Sequence, residues 1–575
     1  MHDLIATSKR GFRCSLLIIP ALCFGTANAW VSVGESPGFG SCDYTTVQAA
    51  INSGENEIRI LDNQVFQENL LLTGSRTLRG GFTSCLAASL DQQQGEVSEI
   101  DGSDASLLPT VSIAVNGTAT ITLDKLRITG GATGVATGAV DGVLNIRNSQ
   151  IAANGGFANG GGLFIGNPGD SLQVVLRDST IIGNSATDGG GGIYCDSDQT
   201  SIRLESGGIL ENFSGGEGGG VFVADGCHFA SYAGTRFDDG SVLAGVSFNT
   251  AVGSGGGIFA INGATVTLNG HLGPLGLWGN TTDPATLAGN VSGFEGGGIF
   301  AAGPDTVVEI IDGDVRGNRA EGWGGGAIVV GGAALTSDLS GEDCWHAERC
   351  SRWRGNESEE ARGGHIYLDS GGSVSLARGF FSGGRAFSGT AIAASGAGTS
   401  VEVEGSYFHD NGQYLPDEAW DFHILHFLDG AEGRLLHTTF GANRVGNSAL
   451  RTSGSTSSIE VRNSIVFQPG TPVFSSSDVP TISFSCVIGN ESESTFGAVD
   501  VLDPGFRDAE GGDLRLSVGA GAVDRCIDAG AMLPDSDHDA RGWDDPAAPN
   551  LGGLFDAGAD EQTQGDALFS DRFEA

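Results

Sequence analysis

Positive charge is scarce in this chain. Its 575 residues carry 70 acidic side chains against 29 basic ones, a net charge of −41, and only two lysines. Nucleic acids and anionic membranes need a basic surface to gather phosphates, so neither is an expected partner. Such acidity suits a soluble exported surface, or one that collects divalent cations diffusely. No apolar run is long enough to span a bilayer. No Gly-Lys-Ser/Thr follows any glycine cluster, which argues against a phosphate-binding P-loop. The calcium nonapeptide GGxGxD is missing as well. No CxxC pair exists to start a zinc site. The 96 glycines have no G-X-Y period, which excludes collagen. A hydrophobic content of 39% leaves room for a large core.

The first 29 residues read as a cleaved signal peptide. Lys9, Arg10 and Arg13 form a positive start, "CSLLIIPALCFG" an apolar centre, and Ala27–Ala29 a small-x-small cleavage site before Trp30. Leu22 argues against a lipid anchor on Cys23. Removing residues 1–29 takes away Asp3 with three basic residues and moves the net charge to −43. Eight cysteines then remain: Cys42, Cys85, Cys195, Cys227, Cys344, Cys350, Cys486 and Cys526. An even count in an oxidising compartment favours disulfides. The sequence does not determine their pairing; sequential pairing is the simplest scheme, and zinc is the alternative.

What is abundant is a repeat. Asn154, Asn184, Asn212, Asn249, Asn290 and Asn318 each precede a glycine cluster, with Leu163, Ile193, Val221, Ile258, Ile299 and Ala327 nine residues on. Asn356 keeps the glycines but has His365 at that offset. Upstream of Asn184 stand Val174, Leu176, Asp178 and Ile181, spaced 2, 2, 3, and the same spacing precedes Asn154, Asn212, Asn318 and Asn411. Spacing of two is a strand with alternate side chains facing one core. The step of three changes face at a corner, and a glycine turn returns the chain to the core. In "GGIYC", Ile193 is expected to face the core and Tyr194 the other way. Successive asparagines lie 28 to 41 residues apart, which fits a solenoid of short strands. The expectation is an all-β, single-stranded parallel β-helix with coils stacked at about 4.8 Å. Its corner asparagines would form a structural ladder, satisfying one another's amides.

The N-x8-[IVL] pattern with GG[GA][IVL] resembles the repeats of polymorphic outer membrane proteins. More broadly, it resembles exported right-handed parallel β-helix proteins of the pectin-lyase fold. That resemblance implies the right hand and a capped N-terminus. "TTVQAAI" is the expected cap helix, with Thr45 and Gln48 as a capping box. "DPGFRDAEGGDLRL", "CIDAG" and "DAGADE" resemble the final coil of such proteins. The expected divisions are a signal peptide (1–29), cap and first coils (30–105), repeats with insertions (106–470), final coils and C-terminal cap (471–562) and an acidic tail (563–575). Polymorphic outer membrane proteins end in a membrane β-barrel; no series of alternating strands of that kind closes this sequence.

Candidate chemistry is thin. "PDSDHDARGWDD" offers Asp535, Asp537 and Asp539 to calcium, with Asp544 and Asp545 beyond, or is a solvated acidic loop. "FHDNGQYLPDEAWDFHILHF" gathers His409, Asp410, Glu418, Asp421, His423 and His426, either as ligands and acid–base groups or as histidines packed on aromatic neighbours. "CWHAERC" is either a recognition tip or a stapled loop. The pectin-lyase fold hosts polysaccharide lyases and glycoside hydrolases, but the NTD, GHG and RIK motifs of polygalacturonases are missing here. The resulting expectation is a non-catalytic, monomeric, secreted or cell-surface protein of a Gram-negative bacterium, binding a polysaccharide or a host or cell-surface glycan in adhesion. The alternatives are a carbohydrate-active enzyme and a structural surface component. An enzyme should concentrate carboxylates with Arg or His in one groove across neighbouring coils; an adhesin should expose aromatics or variable loops without such a cluster.

Overall fold

The computed structural model describes residues 30–35, 41–105, 107–167, 169, 171–232, 245–270, 285–338, 351–413, 422–477, 481–490, 497–527, 534–535, 541–542 and 553–561. Residues 1–29, the expected signal peptide, and 563–575, the expected acidic tail, lie outside them. The molecule is an all-β, right-handed parallel β-helix, the hand that parallel crossovers take. Among the described strands, the pairings are parallel except for one hairpin, Phe506–Asp508 with Asp513–Leu516. None of the described helices is long and apolar enough to cross a membrane.

One coil shows how the sequence makes the fold. Leu172–Arg177 and Ser179–Ile182 are two strands of the largest sheet, which holds 30. Ser185–Gly189 belongs to a seven-stranded sheet, and Ile193–Asp196 to one of 14 strands. Val174, Leu176, Ile181 and Ile193 are each at most 1% exposed. They stack in register on Ile202, Leu204, Ile209 and Val221 of the next coil. The irregular spacing is thus the coil's cross-section. Its step of three spans a left-handed corner at Asp178 (φ 48°), a conformation that Asn, Asp and Gly accept most easily. A single apolar core runs from Val33 to Val487.

The two ends correct the sequence reading. Helix Val47–Asn52 is capped by Thr46, whose hydroxyl accepts the Ala49 amide, and not by Thr45. Gln48 does not close a capping box: its side chain pairs with the Leu71 backbone and with Asn52. The Glu68 carboxylate takes the Val47 and Gln48 amides instead. A tertiary acceptor has displaced the local one. Val47, Ala50 and Ile51 join the continuous core.

At the other end the parallel pairing reaches Gly497–Val501. The chain then leaves the helix axis. "DAGADE" is not a coil: Gly558 and Ala559 donate to the Asn463 carbonyl and the Thr439 hydroxyl of earlier coils. Its acids accept backbone amides, Asp556 from Asp524 and Glu561 from Gly542 and Asp556. Residues 506–561 therefore include a lateral strap, packed through Leu514 and Ala559 against Tyr407.

Candidate functional site

The corner asparagines are at most 2% exposed. The Asn184 Nδ2 donates to Asn212 Oδ1, which also accepts the Asn184 backbone amide, each at 3.0 Å. The same pair of bonds links Asn154 to Asn184, Asn212 to Asn249, Asn249 to Asn290, Asn290 to Asn318 and Asn318 to Asn356. The last glycine of each cluster faces this column. A Cβ on Gly192 would lie 2.9 Å from Asn212 Nδ2. These glycines make room for the next asparagine.

After Asn356 the next coil has Gly384 at the corner, and the ladder would break. His365 bridges the gap: Asn356 Nδ2 donates to its Nδ1, and its Nε2 donates to Asn411 Oδ1, both at 3.0 Å. Asn356 Oδ1 already accepts from Asn318, so its amide nitrogen faces the ring and fixes the Nε2–H tautomer. Burial holds the imidazole down at about 3. The register also corrects the sequence alignment: Ile366, not His365, pairs with Ala327. His365 stands in the slot of the last glycine. The column continues through Asn411, Asn443, Gln468 and Asn490.

The outer face of the 14-stranded sheet carries a second column, one residue beyond each inward Leu, Ile or Val. Phe164, Tyr194, Phe222, Phe259 and Phe300 stack there with centroids 5.6, 4.7, 5.1 and 4.7 Å apart. Phe157 lies edge-on at 5.9 Å from Phe164. The rings are half-buried. They form a continuous apolar strip of roughly 20 Å, at one ring per coil. Parallel in-register strands place chemically like residues side by side, so five aromatics at one offset become one surface. The sequence carried this signal in "LF", "IY", "VF", "IF" and "IF" after the glycines.

Carboxylates flank the strip. The Tyr194 hydroxyl donates to Asp196, and burial pushes the phenol up to about 12. Burial and the neighbouring Asp225 raise Asp196. Farther along, Tyr367 donates to Asp369 in the same way, and burial with the Asp369 charge raises Glu295. Beyond Tyr367 the outward column runs through Ala393, His426, Arg451 and Ser475. There His426 Nδ1 meets Ser388 Oγ at 2.8 Å and its Nε2 meets Ser453 Oγ at 2.9 Å. His423 Nδ1 meets Ser448 Oγ at 2.9 Å. Burial lowers His423 to about 4 and His426 to about 2.

Of the histidine-rich stretch, His409 stands on a strand of the 30-stranded sheet, and His423 and His426 on one of the 14-stranded sheet. His423 and His426 lie 5.4 Å apart, whereas His409 bonds to Ala509 of the strap and Asp410 pairs with Arg444. Glu418 and Asp421 lie outside the described residues. Asp535 is buried, and its Oδ2 accepts the Glu561 amide; Asp537, Asp539, Asp544 and Asp545 lie outside. Cys42 is bonded to Cys85, Cys195 to Cys227 and Cys486 to Cys526. Cys344 and Cys350 lie outside.

A separate open groove of about 490 Å³ crosses the largest sheet between Ser400 and Ser483. In it Arg434 bonds to Glu402 at 2.6 Å and lies 3.5 Å from Glu460, which also holds Arg462. Across known proteins, no family model matches this chain and no curated protein matches it.

Proposed function

We propose that this is a non-catalytic exported or cell-surface β-helix protein that binds glycans, in adhesion, along the aromatic strip. The stacked column from Phe164 to Phe300 carries the reading. A contiguous apolar strip bordered by polar groups marks an interaction surface. Its one-ring-per-coil regularity suits a linear polymer of rigid rings lying along the solenoid axis. Hydroxyl-rich sugars also suit the flanking carboxylates, which accept hydrogen bonds. The six described half-cystines joined in disulfides support an oxidising compartment.

Titration of the exported chain against a panel of soluble linear polysaccharides tests this. Binding to at least one of them is expected, and Phe222→Leu/Phe259→Leu should weaken it at least tenfold, about 1.4 kcal/mol, while thermal unfolding shows the fold intact. Failure to bind any member, or binding indifferent to that double substitution, removes the proposal.

The second reading, a carbohydrate-active enzyme, draws on the Glu402–Arg434–Glu460 groove, where carboxylates and arginine meet across neighbouring coils. Both glutamates are already engaged by guanidiniums, which is why binding is preferred. Release of new chain ends from any polymer in the panel, abolished by Glu402→Gln, would reverse that preference.

A further inference from the structure

The aromatic strip ends in a different kind of chemistry. Arg362 and Arg451 form no ion pair with any described residue, in a chain with more than twice as many acids as bases. Both stand beside His426: Arg451 is its register partner, and Arg362 is bridged to Ser388, whose hydroxyl meets His426 Nδ1. Arg451 follows His426 in the outward column, and its Nε and Nη1 lie 3.3 and 3.2 Å from the hydroxyls of Ser453 and Ser475. Arg362 sits over the Phe387 ring at 6.0 Å and is bridged in register to Ser388, the partner of His426. Its Nε is buried with no hydrogen-bond partner. Asp369, farther along the strip, accepts from the Tyr367 hydroxyl and the Ser370 amide.

We propose that this end of the strip is an anion subsite, formed by Arg362, Arg451 and the hydroxyls of Ser453 and Ser475, which receives the sulfate or carboxylate of a charged sugar. The inference rests on the glycan-binding reading above. Two guanidiniums without an ion pair to a described residue, each next to a residue that holds or neighbours His426, favour an incoming oxyanion, and their forked N–H groups suit both sulfate and carboxylate. Along the rest of the strip Asp196, with Asp225 beside it, and Glu295 repel such a group. The charge pattern therefore fixes the register of a bound chain: uncharged residues along the rings, the anionic one at the arginines. His423 and His426 are neutral at physiological pH, because burial lowers both, so they add no charge. Binding of the charged sugar should accordingly stay constant between pH 6 and 8.

The test titrates the full exported chain at about 0.15 M salt with four probes. They are a sulfated oligosaccharide, a uronate oligomer, the neutral unsubstituted counterpart of each backbone, and inorganic sulfate as competitor. At least one charged oligomer should bind tenfold or more tighter than its neutral counterpart, and the pair that shows this identifies the anion. Arg362→Gln/Arg451→Gln should erase the difference while leaving neutral binding within twofold. Phe222→Leu/Phe259→Leu should weaken both members of the pair. Inorganic sulfate should compete with the charged oligomer and not with the neutral one. Equal affinity for charged and neutral oligomers, or a charge preference that survives the arginine substitutions, overturns the subsite and leaves the strip standing. Absence of binding by every oligomer overturns both. Unfolding midpoints of each variant verify that the fold is kept.

Discussion

His365 occupies a slot that is glycine in the seven preceding coils: Gly134, Gly162, Gly192, Gly220, Gly257, Gly298 and Gly326. The exchange is compensated. Where the next coil supplies an asparagine, a Cβ in the slot would strike it. Where the next coil supplies Gly384, the slot can hold a ring that takes the asparagine's place. The contrast with Gly183 is instructive. Gly183 is left-handed (φ 61°) with open space around it, and Ala153, Glu211 and Phe248 adopt that same corner conformation in other coils. Conformation is negotiable there, whereas volume at the Gly192 slot is not. Replacing His365 by Leu keeps the bulk but leaves one Asn356 amide N–H unpaired and Asn411 Oδ1 without its imidazole donor, the Val315 and Gly384 bonds remaining. A loss of about 1–3 kcal/mol is expected, measured by thermal or urea unfolding. A change below about 0.5 kcal/mol would show that the bridge contributes nothing. The imidazole ¹⁵N shifts should independently report the Nε2–H tautomer.

Strands and turns in this chain obey local rules, but the C-terminal strap does not. Glu561 is fully buried beside Arg541, 3.9 Å away, and its carboxylate accepts the Gly542 and Asp556 amides. A buried charge of this kind is tolerated because each carboxylate oxygen accepts an amide and a guanidinium lies close by. Glu561→Ala removes the acceptor for two amides and leaves Arg541 without its counter-charge. The strap should then open locally, since solenoid segments lose stability piecewise. Limited proteolysis is expected to cut within 553–561 in the variant while the described strands from Asp141–Arg147 to Ser458–Phe467 stay resistant. Uniform resistance of variant and parent would contradict the strap's dependence on this residue.

For the molecule as a unit, three buried neutral histidines set the acid limit. His365, His423 and His426 titrate near 3, 4 and 2 in the fold, against about 6.5 in the unfolded chain. Below pH 6.5 the unfolded state binds protons that the folded state refuses. Stability therefore falls as pH drops from about 6.5 and stops falling, for each histidine, only below its folded value. Proton uptake on unfolding should approach three at pH 5 from these groups. The unfolding midpoint is expected to drop steeply between pH 7 and pH 5, and His365→Leu should flatten that dependence. A midpoint that rises toward pH 5 would refute the assignment of neutral buried imidazoles.

Coil cross-section, corner positions and the pairing partners of Val174, Leu176 and Ile193 are legible in the chain because each depends on residues a few positions apart and recurs. The aromatic column is equally legible, since one offset carries Phe or Tyr in five successive coils, although inward-facing positions alone do not reveal it. Three features were out of reach. His365 acts through Gly384 and Asn411, 19 and 46 residues away; Glu68 caps a helix 20 residues upstream; and Glu561 is placed by contacts between distant segments. Repetition lets a solenoid declare its architecture in one dimension. The exceptions to the repeat, the strap and the convergence of Arg362 and Arg451 on His426 exist only once coils from separate parts of the chain are stacked, because stacking is what turns sequence distance into contact.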